Sequence, residues 1–152
     1  MAKFKFNGID DLQADLEQVA QIDDDTKWRI LSAGADVVKN YQQQSILDNF
    51  KQRTYQLFGS IKVKRKVSGG EIKAVISPQG KRTRASVGIR RYQGRRNGSY
   101  QGTNAEVAYI LEFGSPRIKA RHWMEKANEA STDETNKAMM DVWDMFLRSH
   151  NL

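Results

Sequence analysis

The chain has 152 residues, 25 Lys and Arg against 18 Asp and Glu for a formal net charge of +7, and no cysteine. That length fits one domain and buries roughly 68–70% of the unfolded surface, enough for a core without covalent staples. The missing cysteines exclude disulfides and thiolate metal sites; with no signal peptide in "MAKFKFNGIDDL" and no run of ~18 apolar residues, a soluble protein made in a cytoplasm, without a membrane partner, is expected.

Ile9, Leu12, Leu16 and Val19 follow 3-4-3 spacing with Asp and Gln between them, which predicts an amphipathic helix over about 9–21. Residues 1–25 carry two lysines against seven acids. "IDDD" interrupts this segment, and one of Asp23 to Asp25 can cap a second helix. The second helix carries a stripe of Trp28, Leu31, Ala35, Val38, Gln42 and Ser45 or Ile46. The amides at 42–44 leave its far end poorly apolar, so that end is expected to face solvent or another subunit.

From Gly59 the period changes from helical to alternating. "SIKVKRKVSGGEIKAVISP" places Ile61, Val63, Arg65 and Val67, then Ile72, Ala74 and Ile76, at every second position around Gly69-Gly70. That pattern predicts a β-hairpin with one apolar face, the other carrying Lys62, Lys64, Lys66 and Lys73. "ASVGI", with Val87 and Ile89, offers a third short strand after a break at Pro78-Gln79-Gly80. Residues 90–104 hold four arginines, three glycines and two tyrosines without periodicity. They read as a loop of unusual length for a compact domain, and loops this long are usually functional or disordered. The apolar run "VAYILEF", residues 107–113, does not decide between helical and extended. From about His122 to Ser149, Trp123, Ala127 and Ala130 and then Met139, Met140, Val142, Trp143, Phe146 and Leu147 read as one long helix. No repeat or linker divides the chain. The expected fold is a single α+β domain over 1–152: two N-terminal helices, a small antiparallel sheet built on the basic hairpin, the long loop, and a long C-terminal helix packed on the sheet. Trp123, Trp143 and Phe146 are expected to cover Ile61, Val63, Ile72 and Ile76.

The residues offer little catalytic chemistry. His122 and His150 make neither an H-x-x-x-H nor an H-E-x-x-H pair. The glycines at 94, 98 and 102 match no phosphate-binding motif. Glu106 and Glu112 lack any partner nucleophile and read as solvated acids or inter-subunit ion pairs rather than a general acid and base. Neither an enzyme nor a cofactor is expected. The strongest binding signal is charge: residues 51–96 hold fourteen Lys and Arg against Glu71 alone. Such a patch attracts polyanions, either nucleic acid or acidic protein faces. Arg90, Arg91, Arg95 and Arg96 beside Tyr92 and Tyr100 also mix cation and aromatic as single-strand binders do. The alternative use of the two tyrosines is to anchor the loop on a neighbouring subunit.

"VAYILEFGSPRIKARHWMEKA", residues 107–127, is the sharpest local signature in the chain. It resembles the signature near the C-terminal helix of the tail-completion or neck proteins of long-tailed phages and prophages, which join the tail tube to the filled head. In that family an apolar segment ends in an aromatic-Gly pair, often preceded by Glu. A basic turn, a small residue, an Arg and usually Pro-Phe follow. Glu112, Phe113 and Gly114 match the first part, and Ala120, Arg121 and Trp123 the second. Lys119 and His122 stand where the family often has prolines, and Trp123 replaces Phe. The resemblance covers most of the chain in order, but only about twenty residues in detail.

The resemblance implies a structural virion protein that forms a homo-oligomeric ring, six-fold, around the DNA channel. It also implies contacts with head-closure and tail-tube or tail-terminator neighbours. On that reading Arg90, Arg91, Tyr92, Arg95, Arg96 and Tyr100 are subunit-interface candidates. Lys62, Lys64, Lys66 and Lys73 are candidates for non-specific contact with passing DNA. The alternative is an independent nucleic-acid-binding module using the hairpin and the Arg/Tyr loop.

Overall fold

A computed structural model describes residues 22–50, 55–82 and 102–149. The expected helix at 9–21, the third strand at 85–89 and most of the 90–104 loop, with Arg90, Arg91, Tyr92, Arg95, Arg96 and Tyr100, lie outside these described residues. The described fold is α+β. Its first element is helix α1, Asp24–Asn49, about 39 Å long at 1.5 Å per residue. Asp23 is its N-cap, accepting a 3.0 Å hydrogen bond from the Thr26 amide; hydrogen bonding with the Thr26 side chain, and then that amide bond, hold the Asp23 carboxyl below its ordinary pKa. Asp24 and Asp25 follow in the first turn, where negative charge suits the helix dipole.

The buried positions of α1 are Gly34, Ala35, Gln42 and Ile46, along the expected stripe. The amide-rich far end does not face solvent as a block. Gln42 is 4% exposed and its Nε2 donates to Asn128 Oδ1 at 2.9 Å. Gln43 Nε2 donates to the Phe58 carbonyl at 3.0 Å. Only Gln44 stays outside, bonded to Asp48 one turn on. The polar end of the stripe is polar because it meets polar partners on later elements.

A short helix α2, Gln56–Ser60, leads into strands β1, Ile61–Ser68, and β2, Glu71–Pro78. Gly69 and Gly70 both take positive φ, +61° and +80°, as the two-residue turns that match strand twist require. The antiparallel register pairs Val63 with Ile76, Arg65 with Ala74 and Val67 with Ile72 on one face. Lys64 faces Val75 and Lys66 faces Lys73 on the other, so the expected faces are the observed ones. Burial fades along the hairpin, from Ile61 at 2% exposed to Val67 at 59%. Ile61 shares a core with Ile46, whereas Arg65 reaches Asp25, its guanidinium 3.1 Å from the carboxylate and over the Trp28 ring. The hairpin therefore runs back along α1 from its C-terminal end.

The remaining elements are helices: α3, Asn104–Phe113, α4, Trp123–Ala130, and α5, Thr132–Ser149. The expected single helix from His122 to Ser149 is interrupted at Ser131. That residue is fully buried, and its hydroxyl donates to the Asn128 carbonyl at 2.9 Å, a local bond that competes with regular helix. The break gives the two halves different partners. α4 carries Trp123 into the core with Ile46, Leu57, Ile61 and Ala108, and Phe50, Phe58 and Ile76 pack against it. The C-terminal helical region thus meets the sheet through its first turn.

α5 runs antiparallel along α1: Tyr41 donates to Glu134 at 2.7 Å near one end, and Thr26 and Ser149 share a cleft at the other. Gly34 makes the crossing close, since a Cβ there would lie 2.8 Å from Met139. Trp143 and Phe146 accordingly do not cap the hairpin. They stack on each other at 5.6 Å on a helix with no fully buried residue.

Candidate functional site: the joint between residues 112 and 123

Helix α3 begins on a reciprocal cap. The Thr103 hydroxyl accepts from the Glu106 amide at 3.2 Å, and the Glu106 carboxylate accepts from the Thr103 amide at 3.0 Å. The sequence T-N-A-E carries this signature openly, and it places the apolar run 107–113 on a helix. Glu106 is therefore a capping residue rather than a free acid.

The helix ends at Gly114, with φ +82° and ψ −177°. A Cβ there would lie 2.8 Å from the Ala120 amide nitrogen and 2.9 Å from the Ile118 carbonyl oxygen. Ser115 and Ile118 then close a tight turn with two backbone bonds of 2.8 and 3.1 Å. The returning segment seals the end of α3: the Arg121 amide donates to the Leu111 carbonyl at 3.0 Å, and the His122 amide to the Glu112 carbonyl at 3.2 Å. Carbonyls in the last turn of a helix have no partner within it; here a later stretch of chain supplies one.

His122 sits at φ +48° before α4 and offers no side-chain cap. Glu112 takes over that task from the preceding helix. Its Oε2 accepts from the Met124 amide at 2.7 Å and its Oε1 from the Glu125 amide at 3.1 Å. The carboxylate, on a residue only 5% exposed, thus satisfies the orphan donors of α4 and sits at the positive end of its dipole. This corrects the expectation of a solvated acid or inter-subunit ion pair. It also explains His122: proline, fixed near φ −65°, could not occupy this left-handed position. The signal was the absence of Ser, Thr, Asp or Asn at the cap of a helix that starts R-H-W, which requires a cap from elsewhere.

Trp123 anchors the joint. It is fully buried, its Nε1 donates to the Ala108 carbonyl at 3.4 Å, and its own carbonyl accepts from Ser45 Oγ at 3.0 Å. Phe50 meets it edge-on at 6.4 Å, and the Arg121 guanidinium lies 5.9 Å from the Phe50 ring centroid. Glu112, Gly114, Ala120, Arg121 and Trp123 therefore converge on one structure. Phe113 does not join them: it is 61% exposed and packs on exposed Tyr109 at 4.8 Å. Glu112, His122 and Glu125 bring ligand atoms within 4.8 Å of one another. Because both Glu112 oxygens already accept backbone bonds, the geometry there is that of a helix cap.

Glu112→Gln should lower stability by about 1–3 kcal/mol, because an amide NH2 would then confront a buried N–H donor. Denaturant unfolding beside Glu125→Gln, on an exposed residue, provides the comparison. Equal midpoints for the two variants would show that the carboxylate does not hold the helix.

On the hairpin, Lys73 is paired with Glu71 at 2.9 Å. Lys62, Lys64 and Lys66 are exposed and make no ion pair among the described residues. Arg65, by contrast, is spent within the fold on Asp25 and Trp28. Fold and site together define an α+β scaffold with a tightly braced helix–turn–helix joint and a lysine-striped hairpin. Comparison with family models, curated proteins and solved structures finds no match to this chain.

Proposed function

We propose that the chain is a structural virion protein of a tailed phage, a tail-completion or neck component whose copies form a ring joining tail tube to head around the DNA channel. The observation that carries this reading is the convergence of signature residues. Glu112, Gly114, Ala120, Arg121 and Trp123, which resemble the family's pattern, are spent on bracing backbone to backbone. A rigid joint suits a subunit that transmits load. The exposed Tyr109, Phe113 and Ile118 beside this joint are apolar surface of the kind subunit contacts cover. Head-closure and tail-tube or tail-terminator proteins are the neighbours such a ring would meet in the virion.

Lys62, Lys64 and Lys66 form a cationic edge with no ion-pair partner among the described residues. In a channel their contacts would be to phosphate, without sequence information and steeply salt-dependent. Two measurements test the proposal. Loss of the gene from its phage should leave filled heads and finished tails unjoined; normal joining would refute the role. Anisotropy with unrelated duplexes should show weak binding that weakens with salt, with the log–log slope reduced by up to about 3 when all three lysines become alanine. Sequence-selective binding at physiological salt would instead favour the independent nucleic-acid module.

A further inference from the structure

The last helix is incompletely covered. α5 carries Met139, Met140, Val142, Trp143, Met145, Phe146 and Leu147, yet none of its residues is fully buried. Met140 and Met145 are 55% and 60% exposed. Between its C-terminal end and the first half of α1 lies an open cleft of about 580 Å³. Arg29, Ala33, Val142, Met145 and Phe146 line it, and Thr26 and Ser149 close one end.

The described chain begins at Ile22, four residues before Thr26. The described chain therefore starts beside this cleft, and residues 1–21 are tethered to it there. Their sequence is that of a partner for it. Ile9, Leu12, Leu16 and Val19 share one face at helical spacing, and Asp10, Asp11, Asp15 and Glu17 lie among them. We propose that residues 9–20 dock this apolar stripe into the α1–α5 cleft of their own chain.

Length permits it. Twelve residues span about 18 Å as helix, against about 27 Å for the 18-residue α5. Residues 21–23 supply about 10 Å of extended chain for the reversal. Charge is balanced in the cleft, whose lining holds both Arg29 and Asp36, so apolar contact and tethering carry the docking. Tethering selects the chain's own segment over a second copy. A segment attached through so short a connection is present at an effective concentration of the order of millimolar, far above that of another molecule in dilute solution. Docking would cover Met145 and Phe146 and complete a third helical layer over α1. The inference does not depend on the neck-protein reading.

The absence of cysteine makes a bridging test clean. Full-length double variants would pair Leu12→Cys or Leu16→Cys with Met145→Cys, and the control would pair Gln18→Cys, on the opposite helical face, with Met145→Cys. Because Met145 is exposed, its replacement should leave the circular dichroism spectrum unchanged. Under mild oxidation of micromolar protein, at least one stripe pair should form an intramolecular bridge at least tenfold faster than the control. The product is a monomer of altered mobility on a non-reducing gel. Disulfide-linked dimers as the main product would assign the cleft to a second copy and overturn the proposal. Absence of any bridge, or equal rates for stripe and control, would overturn it too. Met145→Asp should independently raise amide exchange across residues 9–20 at least tenfold; unchanged exchange would refute docking at this cleft.

Discussion

Replacement of Trp123 by alanine is expected to destabilise the protein by about 3–5 kcal/mol, the upper range for large-to-small core changes. Trp123 is fully buried and lies where α1, α2, β1, α3 and α4 all contribute to one cluster. Truncation opens a cavity against Ile46, Ile61 and Ala108 that rigid backbone on several sides cannot close. It also removes the edge-on contact with Phe50 and the donor to the Ala108 carbonyl. Trp143→Ala is the internal contrast. That ring lies half-buried on α5 beside Phe146, so the expected loss is only about 1–2 kcal/mol from partial burial. Denaturant unfolding of both variants measures the difference. Equal losses would mean that α5, and not the joint, holds the core.

Gly114→Ala should cost about 2–5 kcal/mol, although it adds a single methyl group. One part is conformational, because φ +82° lies in the left-handed region where a side chain costs roughly 1–2 kcal/mol. The other part is steric. The new carbon would stand 2.8 Å from the Ala120 nitrogen and 2.9 Å from the Ile118 oxygen, and overpacking of this kind costs typically 1–3 kcal/mol. Those atoms belong to the segment that donates from Arg121 and His122 to the end of α3. Relief of the clash therefore pulls the joint apart. Gly59→Ala, where an added Cβ meets nothing within 4 Å, provides the comparison: it removes the same glycine freedom without the clash. A Gly114→Ala loss no greater than that of Gly59→Ala would refute the close approach.

The two expectations for the joint differ in how far the sequence reveals them. The need for glycine at 114 is legible, because an apolar run stops there before Ser-Pro and a basic turn. The need for Glu112 is not. A carboxylate near the end of an apolar segment looks exposed until the amides of Met124 and Glu125 arrive beside it. Arg65 presents the same difficulty. It interrupts an otherwise apolar strand face, and only the position of Trp28 and Asp25, some forty residues earlier, shows why a cation belongs there. Its aliphatic stem spans the apolar face and its charged head emerges at the acidic start of α1.

The local structure of α1 and of the hairpin is legible in the chain itself. The spacing of Trp28 to Ile46 sets α1, Asp23 caps it, and alternation around Gly69-Gly70 fixes the hairpin and its register. Each of these depends on neighbours within a turn or across a tight bend, where periodicity and φ preference decide. Packing between distant elements selected the partners. It sent Trp123, rather than Trp143, into the core, turned Gln42 inward to Asn128 and made Glu112 the cap of a later helix. Most of these choices are contacts between distant residues, and their energies come from desolvation and from pairing of otherwise orphaned polar groups. Both quantities are properties of the assembled environment, and spacing along the chain does not encode them.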